Sequence, residues 1–72
     1  MHRFIAPGPF SIGSECVLDA EQSHHAVKVL RLVLGDQVGL VDGKGAFAQG
    51  RLVELKGRAV RVKVEKAGVY DA

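Results

Sequence analysis

The chain has 72 residues, 47% of them hydrophobic and 25% charged, with a formal net charge of +2 and a pI near 9.0. This length suits one small domain of modest stability, and the mildly basic balance permits a nucleic-acid partner without requiring one. The single cysteine excludes an intrachain disulfide, which argues against a disulfide-stapled secreted domain and favours a cytoplasmic location. The first ten residues lack the apolar core of a signal peptide, and no apolar run is long enough to span a membrane.

The N-terminal part of the chain predicts two short strands separated by a break. Residues 2–6 are typical of a strand, with Phe4 and Ile5 as its apolar content. The Pro7-Gly8-Pro9 segment ends this strand, because glycine beside proline is typical of a loop. Residues 15–18 predict a second strand that leads directly into a helix start.

Residues 19–36 contain the one convincing helix start. Asp19 is expected to be the N-cap, and Gln22 to reach back to it in a capping box. Gly35 ends the segment, close to where a C-terminal glycine is expected. At about 3.6 residues per turn, the helix has an apolar stripe and a separate basic arc. The stripe is Ser23, Ala26, Val27 and Leu30; the arc is His24, His25, Lys28 and Arg31, provided that the helix persists that far.

The middle of the chain predicts a β-hairpin. After the helix, residues 29–34 either continue helically for a turn or become extended, and the β-branched residues there favour the extended form. Residues 37–41 predict a strand with Val38 and Leu40 on one face. The Asp42-Gly43-Lys44-Gly45 segment is the strongest hairpin signal, because Asp-Gly readily adopts positive φ.

The C-terminal part predicts a second hairpin. Residues 46–55 form the return strand, in which Gly50 indicates a bulge or bend. Lys56-Gly57 is the next turn, and residues 58–66 then alternate, with Val60, Val62 and Val64 facing inwards. Two consecutive hairpins with a bent middle strand predict a mainly β fold. We expect residues 1–72 to form a single small β-barrel with one short α-helix that plugs an end or covers a seam.

Catalytic and metal-binding patterns are weak in this sequence. His24 and His25 diverge by about 100° on a helix, so they cannot hold one metal ion from a single face. Ser23 lies beside these histidines rather than opposite them, and Cys16 in an apolar strand is expected to be an inert buried thiol. Gly43-Lys44-Gly45 suggests phosphate contact, although a hairpin tip is a sufficient explanation. We therefore predict no catalytic, metal or cofactor site in these residues.

Basic side chains are the remaining functional candidates. Several share one surface if the helix and strands pack as predicted: Arg3, Lys28, Arg31, Lys44, Arg58 and Arg61. Guanidinium and ammonium groups bind phosphates, and arginine also stacks on unpaired bases. Lys56, Lys63 and Lys66 are better explained as a solvated face. Arg31 lies between two leucines, which favours a functional role; its structural alternative is an ion pair with Asp36 or Asp42.

Four segments in this order resemble the N-terminal region of RsmE-type ribosomal RNA methyltransferases. They are Met1-His-Arg-Phe, the run from His24 to Leu32, Gly35-Asp36 and Asp42-Gly43. The resemblance implies a PUA-like β-barrel that helps to hold RNA. In that family a following SPOUT domain uses S-adenosylmethionine to methylate N3 of a uridine in small-subunit (16S) ribosomal RNA. That domain has no counterpart in these residues, so the resemblance implies an enzyme for the parent protein but no chemistry for this chain alone.

The resemblance also implies which residues contact RNA and which partners the protein has. Arg3, His25, Lys28 and Arg31 match the family's basic positions, and Lys44 joins them as the candidate at the hairpin tip. The expected partners are small-subunit ribosomal RNA, the protein's own C-terminal SPOUT domain and a second copy of the full-length protein, with no membrane. The chain stops soon after a strand-like run, from which we expect that further residues follow.

Two other classes of function remain open at this point. One is a structural module in which Val29 and Leu32, outside the main apolar stripe, contact the C-terminal domain or a second subunit. The other is a stand-alone small enzyme, which direct binding of S-adenosylmethionine would reveal. Our leading hypothesis is the RNA-binding barrel domain, whose basic helix edge contacts ribosomal RNA through shape and phosphate groups.

Overall fold

The computed structural model describes residues 2–56 and 59–69, which form five strands and one short helix. In chain order the elements are β1 (His2–Ile5), β2 (Glu15–Val17), α1 (Ala20–His24), a π-helical segment (His25–Val29), β3 (Gln37–Val41), β4 (Ala46–Lys56) and β5 (Ala59–Val69). The predicted mainly β class with a single short helix is confirmed. Each predicted strand is present, with bounds that differ by a few residues at most.

The strands form one sheet in the order β1-β3-β4-β5-β2. β1 runs parallel to β3, and the other neighbouring pairs are antiparallel. The helix connects the two ends of this order, because Gln22 bonds to Ile5 of β1 and Ser23 bonds to Val60 of β5, next to β2. It therefore covers the seam between the sheet edges, one of the two placements that the sequence predicts.

The core lies on the concave side of this sheet, beneath the helix. The predicted alternation in β5 is confirmed, since Val60, Val62 and Val64 are buried. Val38 and Leu40 of β3 are also buried, as predicted. The complete set of buried apolar residues is Phe4, Ala6, Leu18, Ala26, Val38, Leu40, Ala48, Leu52, Val60, Val62 and Val64. Each buried valine or leucine contributes about 1.5–3 kcal/mol, so these aliphatic residues supply most of the favourable folding free energy.

Both predicted hairpins are present in the sheet. In the first, the Asp42 carboxylate accepts hydrogen bonds from the N–H groups of Lys44 (2.7 Å) and Ala46 (3.0 Å), and Gly43 and Gly45 have φ values of 76° and 107°. In the second, β4 and β5 pair as far as Lys56 and Ala59. The predicted turn residue Gly57 and the basic candidate Arg58 lie outside the described residues.

Gly50 is the point at which β4 bends. The pairing register between β4 and β5 shifts between Gln49 and Gly50, which confirms the irregularity predicted there. A β-carbon at this position would collide with the carbonyl oxygen of Lys63 and with the side chain of Val62. Only glycine therefore allows β5 to approach β4 this closely.

The start of α1 confirms the predicted N-cap and adds a second partner for Gln22. The Asp19 carboxylate accepts the N–H of Gln22 at 2.8 Å. The Gln22 carboxamide reaches back to the cap as predicted, since Nε2 donates to the Asp19 carboxylate at 3.3 Å. It also bonds to the backbone of Ile5: Oε1 accepts its N–H and Nε2 donates to its carbonyl, both at 2.7 Å. The side chain therefore acts as a short strand added to the edge of β1.

The helix does not persist to Arg31, so the predicted basic arc is wrong in its last member. From His25 the backbone adopts π-helical bonding, in which Leu30 N–H donates to the His25 carbonyl at 3.0 Å, and this segment ends at Val29. Arg31 follows with a φ of 53°. The apolar stripe holds nevertheless: Ser23 and Ala26 are buried, and Val27 and Leu30 are partly buried against the core.

Ser23 fastens the helix to the sheet through its hydroxyl group. This fully buried oxygen donates to the Leu18 carbonyl at 3.1 Å and accepts the N–H of Val60 at 3.0 Å. A serine on the apolar stripe is therefore explained by two backbone groups that would otherwise be buried without partners.

We expect Ser23→Ala to destabilise the domain by about 2–3 kcal/mol, because it removes both bonds and leaves a buried N–H and a buried carbonyl unpaired. The matched control is Ser14→Ala, since the Ser14 hydroxyl also donates to a backbone carbonyl, that of Ser11, but is not buried. Urea unfolding of the two variants measures the difference. Equal losses of free energy would contradict the anchoring role of Ser23.

Candidate nucleic-acid interface

All five predicted RNA-contact residues are exposed. Arg3 lies on the edge strand β1, His25 and Lys28 on the π-helical segment, Arg31 just beyond it, and Lys44 at the tip of the β3–β4 hairpin. None is sealed in the core. Each is therefore free to meet a polyanion, as the RNA-binding hypothesis requires.

A pocket of about 320 Å³ lies between β1 and the helix, and it brings two of these residues together. Its lining residues are His2, Arg3, Phe4, Glu21, Gln22, His25 and Leu30. Arg3 also borders a second pocket of about 230 Å³ along β3 and β4. Arg3 and His25 are distant in sequence and meet because Gln22 holds the helix against the edge of β1.

Arg31 is held in place by its neighbours and not by its own side chain. Its left-handed backbone conformation is uncommon for a residue other than glycine, and such conformations persist only where the surroundings impose them. Leu30 and Leu32, on either side, pack partly buried against the core, and Leu32 N–H donates to the Ala26 carbonyl at 3.0 Å. The exposed Arg31 side chain therefore leaves the chain at a fixed place near Leu30, which lines the pocket between β1 and the helix.

The structural alternative for Arg31, an ion pair with Asp36 or Asp42, is wrong. Asp36 uses its carboxylate to accept the N–H of Val33 at 2.8 Å, and Asp42 uses its own within the hairpin. Within residues 2–56 and 59–69, no carboxylate forms an ion pair with Arg31. The guanidinium charge is therefore uncompensated.

The cationic side chains divide into paired and unpaired groups. Arg51 pairs with Glu65 at 3.1 Å, and Lys56 lies 3.8 Å from Glu54. Arg61 donates to Glu15 at 3.1 Å, and this bond, with the nearby charge of Glu54, raises the pKa of its guanidinium. Arg61 was a candidate for the shared basic surface, but these carboxylates neutralise it. In the part of the chain that the structure describes, the cations without an ion pair are Arg3, Lys28, Arg31, Lys44, Lys63 and Lys66.

Two further residues of the pocket, His2 and Glu21, are not among the predicted contact residues. His2 lines the pocket because β1 runs parallel to β3 beneath the helix. This pairing joins residues more than thirty positions apart, and no local pattern indicates it. Lys44, in contrast, does not line either pocket and remains a separate candidate at the hairpin tip.

The described residues offer little support for a reactive thiol, a metal site or a membrane-spanning helix. Burial raises the pKa of the Cys16 thiol, which lowers its thiolate fraction and its reactivity. Among residues 2–56 and 59–69, no three His, Cys, Asp or Glu side chains are grouped to hold a metal ion. No helix in the same ranges is long and apolar enough to cross a membrane.

The comparison with protein families identifies the domain. The profile of the RNA methyltransferase PUA domain matches residues 18–65, most of the chain. The chain belongs to this family. The resemblance to RsmE-type methyltransferases that the sequence shows is thereby confirmed at the level of the domain. No curated protein matches the chain significantly.

Several solved structures of methyltransferases contain a domain that is similar in shape to this PUA domain. Ribosomal RNA small subunit methyltransferase E of Neisseria gonorrhoeae, bound to S-adenosylmethionine, superposes with a TM-score of 0.83 and 26% identity, over 100% of this chain and 30% of that one. A protein described as a predicted RNA methyltransferase from Thermotoga maritima gives 0.80 and 27%, over 99% and 32%. The chain thus spans about a third or less of the length of these methyltransferases.

Proposed function

We propose that this PUA domain docks small-subunit (16S) ribosomal RNA for a methyltransferase of the RsmE type. The observation that carries the proposal is the set of exposed cations Arg3, Lys28 and Arg31, which are unpaired within the described residues. Arg3 lines the pocket between β1 and the helix, Lys28 lies on the π-helical segment, and Arg31 directly follows Leu30, which also lines the pocket. His25 adds a hydrogen-bonding side chain to the same place. Unpaired cations are available to phosphates without first losing a protein partner.

The proposal assigns the chemistry to a part of the protein beyond these residues. A SPOUT domain of the parent would bind S-adenosylmethionine and methylate N3 of a uridine, while this domain positions the RNA in the cytoplasm. The Neisseria relative, which is bound to S-adenosylmethionine and matches this chain over 30% of its length, supports this division. Within the proposal, the partners are the ribosomal RNA, that catalytic domain and a second copy of the full-length protein.

We expect Arg31→Ala to weaken RNA binding about three- to tenfold without changing the melting temperature, because the side chain contacts phosphate and not the core. Electrophoretic mobility-shift titration with a small-subunit ribosomal RNA fragment measures the affinity, and a thermal melt checks the fold. Lys63→Ala is the matched control: Lys63 is also exposed and unpaired in the described residues, but lies on β5 opposite Glu15, away from the pocket. It should leave the affinity nearly unchanged.

Either of two results defeats this assignment. Arg31→Ala with unchanged affinity shows that the guanidinium does not contact RNA, and a collapsed melt shows that its role is structural. Binding by the unsubstituted chain should also weaken as salt is added, since phosphate contacts release counterions. Salt-independent binding would contradict the phosphate mechanism itself.

A second function, docking of a protein surface, is favoured by exposed apolar residues beside the helix exit. Val29, Val33 and Leu34 are 62%, 60% and 61% exposed. Leu32, predicted to share such a contact, packs partly buried against the core instead. Size-exclusion chromatography separates the two functions: a monomer that binds RNA supports RNA docking, and a stable dimer without RNA affinity supports the interaction module.

A further inference from the structure

The backbone N–H and carbonyl groups along β1 point alternately towards the open edge of the sheet and towards β3. At Ile5 the N–H and carbonyl are both bonded by the Gln22 carboxamide, whereas the N–H of the next residue, Ala6, donates to the Val41 carbonyl of β3 at 2.9 Å. The peptide groups of Ile5 therefore point away from the sheet, and those of Ala6 point into it. This is the alternation expected along an edge strand that pairs on one side.

The same alternation places the peptide groups of Arg3 at the open edge. Arg3 is two residues before Ile5 in the same regular strand, opposite Gly39 in the parallel register. Its N–H and carbonyl therefore also point away from β3, towards the side on which Gln22 and the helix lie. In residues 2–56 and 59–69, no side chain bonds to them as Gln22 bonds to Ile5. Arg3 lines the pocket between β1 and the helix, so these two groups lie at its wall.

We propose that this pocket binds one unpaired nucleotide of RNA, whose base edge pairs with the N–H and carbonyl of Arg3. The Gln22 carboxamide shows the geometry, since it presents an acceptor and a donor side by side to Ile5. An unpaired base presents an adjacent acceptor and donor on its Watson–Crick edge in the same manner. This inference rests on the proposed RNA-docking function and names the subsite within it.

The charges around the pocket favour a nucleotide over a peptide strand. Arg3 contributes an unpaired guanidinium within the described residues, and His2 and His25 contribute imidazoles that donate or stack. The volume of about 320 Å³ lies at the lower end of the range of roughly 300–1,000 Å³ for small-ligand sites. Glu21 is the acidic lining residue, and it lies on the helix side, so we place the phosphate on the β1 side, near Arg3 and His2.

The subsite distinguishes unpaired bases from paired ones, and it does not distinguish one base from another. All four bases have an adjacent acceptor and donor on the edge used in Watson–Crick pairing, and a duplex occupies that edge. A backbone N–H and carbonyl therefore discriminate unpaired from paired nucleotides. We expect the chain to prefer single-stranded RNA to a duplex of the same composition.

Two substitutions at one position separate the backbone group from the side chain. Arg3→Ala removes the guanidinium and keeps the N–H, whereas Arg3→Pro removes both. Proline is tolerated on an edge strand where the N–H faces away from the sheet. Binding of a fluorescent single-stranded oligoribonucleotide to the 72-residue chain should be about two- to tenfold weaker for Arg3→Pro than for Arg3→Ala, the effect of one lost hydrogen bond. Equal affinities of two folded variants overturn the subsite.

A measurement on the unsubstituted chain decides the case if Arg3→Pro does not fold. In ¹⁵N NMR spectra, single-stranded RNA should shift the Arg3 amide resonance and slow its exchange with solvent, and the matching duplex should do neither. RNA that binds without moving this amide overturns the subsite and leaves the proposed RNA docking intact. Absence of any RNA binding overturns both. An extended peptide that protects the Arg3 amide when RNA does not would instead show strand addition at this edge.

Discussion

Gly50→Ala is expected to destabilise the domain by about 3 kcal/mol or more, because the added β-carbon has no space. The atom nearest to it would be the Lys63 carbonyl oxygen, part of the neighbouring strand's backbone, followed by a methyl group of Val62. A flexible side chain yields at small cost, but a paired strand does not. Relief requires β4 and β5 to separate at the bend, where their pairing register already shifts.

The matched control is Gly35→Ala, which changes glycine to alanine without a collision. Gly35 has a φ of +89° and no atom within 4 Å of an added β-carbon. Its expected loss is about 1–2 kcal/mol, from the backbone conformation alone. Chemical denaturation of both variants gives the two free energies of unfolding. If Gly50→Ala loses no more than Gly35→Ala, the close approach of β5 at the bend is not what requires glycine.

The bend at Gly50 matters for the candidate site because the site is built on the neighbouring strands. Gly50 pairs with Val38 of β3, and Val38 is opposite His2 of β1. The sheet's curvature therefore sets the position of the β1 edge relative to the helix that Gln22 and Ser23 attach. A partly folded Gly50→Ala variant should lose RNA affinity together with its β4–β5 pairing.

Features encoded by neighbouring residues were predictable from the sequence. The alternation of Val60, Val62 and Val64 specifies which face of β5 is buried, and Asp42 with Gly43 specifies the first hairpin. Asp19 likewise specifies the start of the helix. In each case the cause acts within a few residues, through side-chain period, positive φ or a local hydrogen bond.

Features that depend on distant parts of the chain were not predictable. The Gln22 carboxamide bonds to its local partner Asp19 at 3.3 Å, but it also bonds to the N–H and carbonyl of Ile5 at 2.7 Å, and no local pattern indicates this distant partner. The change to π-helical bonding at His25 is a second feature of this kind, and Leu30 and Leu32 beyond that segment pack partly buried against the core. This displaced Arg31 from the arc on which a regular helix would have placed it.

The candidate site was predictable only as a set of residue types. Arg3, His25, Lys28 and Arg31 came from basic character and from the resemblance, and the structure places Arg3 and His25 in one pocket. The sequence could not predict that Arg3, Lys28 and Arg31 lack ion pairs within the residues described, because acidic residues are present on several elements. Arg51 pairs with Glu65 of β5, and Arg61 pairs with Glu15 of β2 and Glu54 of β4.

Replacing Arg3, Lys28 and Arg31 together by glutamine is expected to weaken single-stranded RNA binding about 100-fold at low salt, if each side chain contacts a phosphate. The slope of log affinity against log salt should fall in magnitude by about 2, since each phosphate contact on a single strand contributes about 0.7. All three side chains are exposed, so the melting temperature should change little. Titrations at several salt concentrations give both quantities in one experiment.

The matched control replaces Lys56, Lys63 and Lys66 by glutamine. Both triple variants lower the formal net charge from +2 to −1, so any difference between them reflects where the charges lie and not how many there are. The control lysines are exposed on β4 and β5, and none of them lines the pocket between β1 and the helix. Equal losses in the two variants would mean that RNA is attracted by net charge alone. A loss confined to the first variant would show that contacts at the edge of β1 and at the helix exit bind the RNA.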